Sequence, residues 1–148
     1  MGNDRCAEMP MRMPSGEPRT YKGHCGTSYQ PGSSHSSLGK GWNDCDVLTA
    51  PGDLTDDVRT DLLARRKSIG DMYLFAAKSN GTLAAGRKIA TGWKGCKKIV
   101  GAGDLDGDGI GDVLALDGKG TLYRYDGRGS GPLKKRVKVF TKWATSTT

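Results

Sequence analysis

The residues of this 148-residue chain that are best suited to chemistry are four aspartates in one glycine-rich run. They stand at positions 1, 3, 5 and 9 of the segment 104–112. A Ca²⁺ ion binds roughly 6 to 8 oxygen ligands, and a tight loop can turn alternating carboxylates and a backbone carbonyl toward one point. The spacing therefore predicts a calcium site whose ligands are Asp104, Asp106, Asp108, the carbonyl of Ile110 and Asp112.

Two other structures are compatible with part of this run. An EF-hand loop begins with the same Asp-x-Asp-x-Asp-Gly pattern, but it needs a bidentate Glu at its twelfth position, where this chain has Ala115, and it needs flanking helices. The flanks 99–102 and 113–116 are short apolar runs that are typical of strands. The alternative is an Asp/Gly-rich turn that binds nothing, since both residues favour turns for backbone reasons. Turn formation alone does not require the fourth aspartate.

The acidic run lies inside an internal repeat with a period of about 50 residues. Segment 42–92 aligns with segment 93–142, and Trp143 would begin a third copy. The aligned positions carry identical or similar residues, among them Trp42 and Trp93, Cys45 and Cys96, Leu54 and Leu105, Asp61 and Asp112, and Lys88 and Lys138. A period of this length is typical of proteins built from repeated supersecondary units.

Each copy is expected to form four short strands joined by tight turns, which in the second copy span about 98–102, 113–116, 121–125 and 136–140. One four-stranded antiparallel meander per repeat is the unit of a β-propeller blade. The sequence thus predicts an all-β chain with two propeller-type blades, a partial β-propeller. The expected domains are an irregular, low-complexity N-terminal segment (1–41), two repeats (42–92 and 93–142) and a tail (143–148).

The motif supports a family resemblance. The run Gly-Asp-Leu-Asp-Gly-Asp-Gly-x-x-Asp-Val-Leu-Ala (103–115), followed by Gly-Thr-Leu-Tyr-x-Tyr-x-Gly (120–127) and with Trp at each repeat boundary, resembles the FG-GAP/VCBS repeat family of secreted bacterial proteins. The propeller of integrin α chains has a similar calcium loop. The resemblance covers residues 42–143. It implies a structural Ca²⁺ in the loop between the first two strands of a blade, held here by the five residues predicted above.

The first repeat has a degraded copy of the loop at 53–61. Thr55 replaces the second carboxylate, and Val58 replaces a glycine that normally permits a left-handed backbone. Three aligned acids remain, while Arg59 adds a cation. We therefore expect one good metal site and a weak second site composed of Asp53, Thr55, Asp57, Arg59 and Asp61.

The sequence also bears on whether the repeats can close a propeller and on where in or outside the cell the protein acts. A propeller needs roughly 4 to 8 blades, so the chain is a fragment, a two-blade subunit that needs further blades or self-association, or a small open sandwich. The chain has no membrane-spanning run and its first twenty residues lack a signal-peptide core. The resemblance and four cysteines nevertheless favour secretion and disulfides. Because Cys45 and Cys96 should lie about a blade width apart, beyond disulfide reach, Cys45 is expected to pair, if at all, with Cys6 or Cys25.

Net charge and sequence motifs restrict the possible functions of the chain. The net charge of +7 comes without a nucleic-acid-binding motif, so it indicates at most nonspecific affinity for anionic polymers. The chain lacks the common hydrolase, phosphate-loop and zinc-protease motifs and has two histidines. We expect a non-catalytic, calcium-stabilised extracellular module for adhesion or for binding a glycan or protein, either alone or as an appendage of a secreted hydrolase. The alternative is a lectin, or a subunit of a secreted enzyme, with its site on the repeat surface. The candidate sugar-stacking aromatics are Trp42, Trp93, Trp143, Tyr73, Phe75, Tyr123 and Tyr125.

Overall fold

A computed structural model of the chain describes residues 9–21, 26, 28, 30, 32, 34–39 and 41–141. Within these residues the fold is all-β, as expected, with eleven strands in three antiparallel sheets. The described part contains one 3-10 turn, Trp93–Gly95, and no helix long and apolar enough to span a membrane. Trp143 and the predicted tail lie outside the described residues.

The three sheets are simple meanders, because each strand pairs with its neighbour in sequence. The N-terminal sheet contains β1 (Met9–Arg12), β2 (Pro18–Tyr21) and β3 (His35–Ser37). The middle sheet contains β4 (Cys45–Gly52), β5 (Asp61–Arg66), β6 (Met72–Phe75) and β7 (Arg87–Ala90). The C-terminal sheet contains β8 (Cys96–Gly103), β9 (Asp112–Asp117), β10 (Leu122–Tyr125) and β11 (Val137–Phe140).

The two predicted repeats form the two four-stranded sheets and match in detail. Register shifts fall at equivalent places in both, for example between Met72 and Tyr73 and between Leu122 and Tyr123. The boundary tryptophans also pack alike: the Trp42 ring lies 4.4 Å from that of Phe75, and the Trp93 ring lies 4.3 Å from that of Tyr125, both tilted by 39°. The strand predictions for the second repeat are therefore confirmed.

The prediction that segment 1–41 is irregular was wrong for part of its length. Its three strands are only three or four residues long, too short for an alternating pattern to be recognised. Pro10 lies in the edge strand β1 and Pro18 begins β2, and these are positions where a missing N–H leaves the ladder intact. The proline-rich composition therefore suggested an irregular segment, although proline at these positions is compatible with a sheet.

The hairpin of β1 and β2 resembles the hairpin of β9 and β10 in the second repeat. In the turn after β1, the N–H of Met13 donates to the carbonyl of Glu17 and that of Gly16 donates to Met13. In the turn after β9, Asp117 donates to Thr121 and Gly120 donates to Asp117 in the same pattern. The two hairpins thus share one geometry, although their sequences have little in common.

Apolar clusters between successive sheets form the core. Trp42, Leu62 and Ala64 pack on the side of the middle sheet nearer the N-terminal sheet. The larger cluster joins the middle and C-terminal sheets and contains Leu54, Leu63, Met72, Leu74, Trp93, Ile99, Val113 and Ala115. The first strands of these two sheets lie side by side, and a Cβ on Gly101 would come within 2.4 Å of Pro51. This close approach explains the glycine at position 101.

The two described cysteines, Cys45 and Cys96, are free thiols. Burial raises the pKa of both, so they are poor nucleophiles near neutral pH. Cys6 and Cys25, the partners considered for Cys45, lie outside the described residues.

Substitution of Leu54 tests the packing between the middle and C-terminal sheets. Leu54 is fully buried, and Leu54→Ala should lower the free energy of unfolding by about 2 to 5 kcal/mol because it leaves a cavity. Leu105 is the aligned residue of the second repeat but is 46% exposed, so Leu105→Ala should cost only about 0.5 kcal/mol. Urea unfolding measures both variants, and equal losses would contradict this packing.

Candidate metal centre

The acidic loop 104–112 connects β8 to β9, the first two strands of the C-terminal sheet. Its first aspartate directly follows Gly103, the last residue of β8, and its last aspartate begins β9. The loop is therefore held at both ends by the sheet. This is the position that the sequence predicted for it.

Asp112 closes the loop from inside. The residue is fully buried, and its Oδ2 accepts hydrogen bonds from the N–H groups of Leu105 (2.6 Å) and Asp106 (3.3 Å). Its Oδ1 accepts from the N–H of Gly127 (3.0 Å), in the turn after β10. One carboxylate thus ties the start of the loop to a turn two strands away.

Asp104 organises the middle of the loop. Its carboxylate accepts hydrogen bonds from the N–H groups of Gly107 (2.7 Å), Asp108 (3.2 Å) and Gly109 (2.8 Å). These donors, Gly109 foremost, hold the pKa of Asp104 below its usual value, so the side chain stays ionised. A carboxylate that is ionised and held in place in this way is suited to bind a cation.

Asp106 and Asp108 complete a carboxylate cluster. Oxygens of Asp104, Asp106 and Asp108 all lie within 4.8 Å of one another, and all three side chains are exposed to solvent. Partial loss of hydration, together with the neighbouring charges of Asp112 and Asp108, raises the pKa of Asp106. Ile110 belongs to the same loop, where its N–H donates to Asp108 Oδ1 (2.9 Å).

The sequence reasoning missed one acid, Asp126. Its carboxylate lies with those of Asp106 and Asp112 in a second group whose oxygens are within 4.8 Å of one another. Arg124 forms an ion pair with Asp126 through two contacts, of 2.6 and 3.1 Å. The residue is 14 positions beyond the acidic run, and its counterpart in the first repeat is Ala76, so neither the motif nor the repeat could indicate it.

Loop 53–61 connects β4 to β5 and has the same internal framework. Asp61 is fully buried and accepts hydrogen bonds from the N–H groups of Leu54 and Ala77, both at 2.9 Å. Asp53 accepts from the N–H groups of Asp57 (3.2 Å) and Val58 (2.6 Å), as Asp104 does in the second loop. The backbone arrangement is therefore retained although five of the nine aligned residues differ.

The charges of the first loop are arranged differently. The Arg59 guanidinium forms an ion pair with Asp57 at 2.9 Å, and the Thr55 hydroxyl donates to Asp61 Oδ2 at 3.1 Å. The acids aligned with the second loop do not form a group of three carboxylates within 4.8 Å. The first loop thus lacks the carboxylate cluster of the second, and the weak second metal site stays a prediction.

The left-handed backbone persists without glycine in this loop. Asp56 and Val58 have φ angles of 60° and 68°, while their counterparts Gly107 and Gly109 have 82° and 84°. A β-branched residue rarely adopts this conformation. Val58 is 84% exposed, so its strained backbone gains little from packing.

The candidate sugar-stacking aromatics have two different environments. Trp42 and Trp93 are buried and pack against Phe75 and Tyr125, which favours a packing role for these four rings. Tyr73 and Tyr123 instead lie beneath guanidinium groups, with Arg66 4.7 Å and Arg136 4.2 Å from the ring centres. A cleft of about 350 Å³ opens beside Tyr73 and is lined by Trp42, Arg66, Phe75 and Leu83 among others.

Neither the models of known protein families nor the curated proteins contain a match to this chain.

Replacement of Val58 by glycine tests the strain in the first loop. Val58→Gly should raise the free energy of unfolding by about 1 kcal/mol, because glycine adopts a positive φ without the steric cost borne by valine. Val100 is a matched control, since it is a half-exposed valine within a strand, where glycine should cost about 0.5 to 1 kcal/mol. Urea unfolding measures both. Destabilisation by Val58→Gly would contradict the φ assignment.

Proposed function

We propose that this chain is a non-catalytic, calcium-stabilised repeat module of the FG-GAP/VCBS type. The proposed ligands are Asp104, Asp106, Asp108, the Ile110 carbonyl and Asp112, with Asp126 beside them. The observation that carries the proposal is the gathering of carboxylate oxygens within 4.8 Å around Asp106, on a loop whose backbone is already fixed by hydrogen bonds.

The donor set fits calcium in its chemistry. Both groups consist of carboxylates without histidine or cysteine, and Ca²⁺ prefers oxygen ligands in flexible coordination. Like charges so close repel one another, and this repulsion adds to the partial loss of hydration that raises the pKa of Asp106. The nearby cations offer limited compensation: Lys134 Nζ lies 3.6 Å from Asp108 and is half exposed, while Arg124 is paired with Asp126.

A bound Ca²⁺ would supply positive charge that holds these carboxylates together. The loop already connects β8, β9 and the turn after β10 through Asp112. Retention of their ionised forms would therefore stabilise the C-terminal sheet as a whole. We propose a structural role for this ion, because within the described part of the chain the proposed ligands form their hydrogen bonds and ion pairs with backbone N–H groups and Lys134.

The blade interpretation belongs to the same proposal. Each four-stranded sheet is a sequential meander, and the first strands β4 and β8 lie next to each other, with the Gly101 N–H donating to Thr49 Oγ1 at 2.8 Å. Neighbouring propeller blades have their first strands side by side in this manner. We therefore infer that the sheets are consecutive blades of an open β-propeller.

The proposed biological role is adhesion or binding of an extracellular glycan or protein, alone or as an appendage of a secreted hydrolase. The cleft beside Tyr73 supports the glycan-binding alternative, because it combines aromatic surface with the Arg66 guanidinium, and sugars use both stacking and hydrogen bonds. The calcium loop lies on the other four-stranded sheet. Its contribution to binding would be the rigidity of the scaffold.

Asp108→Ala and its counterpart Asp57→Ala test the metal role as a matched pair. In calcium at about 100 times its Kd, linkage stabilises the native state by about 2.7 kcal/mol, or roughly 5 to 10 °C in Tm for a chain of this size. Asp108→Ala should lose this gain in calcium and change Tm little in chelator. Asp57→Ala should cause a small loss that is equal in both, because it removes an ion pair and a backbone hydrogen bond to Arg59 but no proposed metal ligand.

Thermal melting followed by circular dichroism gives all six values for the wild type and the two variants. A wild type whose Tm is unaffected by calcium would contradict the proposal. So would an Asp108→Ala loss that is the same with and without calcium.

A further inference from the structure

The two acidic loops contact each other across the boundary between the middle and C-terminal sheets. The N–H of Gly111, in the second loop, donates to the backbone carbonyl of Asp53 in the first loop at 2.7 Å. The N–H of Gly131, in the turn after β10, donates to the carbonyl of Leu54 at 2.9 Å. The start of the first loop is therefore fixed against the loop that contains the proposed metal ligands.

The bond from Gly111 to Asp53 fixes a peptide group that carries one of those ligands. The N–H of Gly111 belongs to the same peptide group as the carbonyl of Ile110. This peptide is trans and planar, so its N–H and C=O point in opposite directions, and an acceptor on the N–H side sets the direction of the carbonyl. Hydrogen bonding of the N–H also polarises the peptide group, which strengthens its oxygen as a ligand. The contact uses the backbone oxygen of Asp53, so it does not depend on the charge of that side chain.

The side chain of Leu54 supports the second loop as well. Leu54 is fully buried, and Ile110 is only 8% exposed. Both side chains lie against Gly127, where an added Cβ would come within 2.5 Å of Ile110 Cγ2 and 3.2 Å of Leu54 Cδ2. The N–H of Gly127 in turn donates to Oδ1 of Asp112, another proposed ligand, at 3.0 Å. Leu54 thus packs against the backbone that holds Asp112 in place.

The glycine at position 111 is required by the neighbouring sheet. A Cβ on Gly111 would lie 2.9 Å from the carbonyl carbon of Pro51 and 3.2 Å from that of Gly52, at the end of β4, so no side chain fits there. The aligned residue of the first loop is Thr60. The shape of the loop therefore accepts a side chain at this position, and it is the approach of the middle sheet that excludes one.

We propose that the first acidic loop positions the metal ligands of the second. The backbone carbonyl of Asp53 orients the carbonyl of Ile110, and Leu54 supports Asp112 through the turn after β10. The inference rests on the proposed function, because it concerns the calcium affinity of the loop 104–112. It does not require the first loop to bind an ion of its own. A complete site then needs two consecutive sheets, one with the ligands and one with the support.

Coupling of this kind is reciprocal. If contacts with the first loop raise the calcium affinity of the second, calcium favours those contacts by the same factor. Calcium should therefore strengthen the packing between the middle and C-terminal sheets as well as the loop itself. A substitution that weakens the contact from the side of the first loop should lower the calcium affinity, although it removes no ligand.

Leu54→Ala and Leu62→Ala test the proposal as a matched pair. Both leucines are fully buried in the middle sheet, but Leu62 packs in the other cluster, with Trp42 and Ala64. In calorimetric titrations with calcium chloride, Leu54→Ala should raise the Kd about tenfold, a usual size for coupling between sites. Leu62→Ala should leave the Kd unchanged. Leu54→Met should restore most of the affinity, because it preserves the volume of the side chain.

Hydrogen exchange in chelator tests the same contact without calcium. The N–H groups of Gly111 and Gly131 donate to the first loop. They should exchange about ten times faster in Leu54→Ala than in Leu62→Ala, because only the first variant loosens the contact locally. The N–H of Gly109, which donates to Asp104 within the second loop, is the internal reference.

Circular dichroism first verifies that each variant is folded, and Leu54→Val with Leu62→Val replaces the alanine pair if either is not. A wild type that binds no calcium overturns both the proposed function and this inference. A wild type that binds calcium no more tightly than Leu54→Ala overturns the inference alone. Equal weakening by Leu62→Ala, or equal exchange of the Gly111 amide in the two variants, also overturns it.

Discussion

A buried aspartate at the end of each acidic loop, Asp61 in the first repeat and Asp112 in the second, is the contact on which the repeat architecture depends. Burial of an unpaired carboxylate is costly, but each of these accepts hydrogen bonds from the start of its own loop and from the turn after the third strand. The loop, the second strand and that turn are thereby connected by one side chain. Burial raises the pKa of Asp61, which accords with its complete enclosure.

The hydrogen bonds of the buried aspartates fix the backbone of each loop, whatever the arrangement of its other charged side chains. Five backbone N–H groups donate to equivalent aspartates in the two loops, even though the first has Asp56 and Val58 in place of two glycines. The charge balance differs, because Arg59 lies against Asp57 in the first loop, whereas Asp106 and Asp108 approach one another in the second. The first loop thus contains its own cation. In the second loop, carboxylate oxygens lie within 4.8 Å of one another, and an external cation would relieve their repulsion.

Much of the fold follows from the repeat, since an alignment of two copies carries more information than the pattern of either one. Segment 56–67 contains enough Leu, Ala and Arg to suggest a helix. Within it, however, residues 62–64 align with the predicted strand residues 113–115, and this alignment correctly predicts the strand Asp61–Arg66. The N-terminal strands lacked this support, because their hairpin shares its geometry with β9 and β10 but little of its sequence.

The candidate site was predicted as far as its contiguous residues allowed. The run 104–112 contains the carboxylates that the structure gathers, but Asp126 joins them only because β10 pairs with β9 and returns the chain to the loop. The ion pair between Arg59 and Asp57 could not be predicted from the sequence either, because residue spacing does not show whether a cationic side chain points toward its neighbour or toward solvent. The left-handed φ of Val58 is one that valine rarely adopts. The hydrogen bonds of Asp53 and Asp61 outweigh this conformational preference of the residue.

A calorimetric titration of the whole chain with calcium is the most direct test of this difference between the two loops. The account predicts one ion per chain, bound at the loop 104–112, and complete loss of the binding heat in Asp106→Asn. It also predicts an unchanged titration in Asp53→Asn, because Asp57 of the first loop is paired with Arg59 and the aligned acids of that loop do not form a carboxylate cluster. Two equally tight sites, or no binding to the wild type, would contradict it.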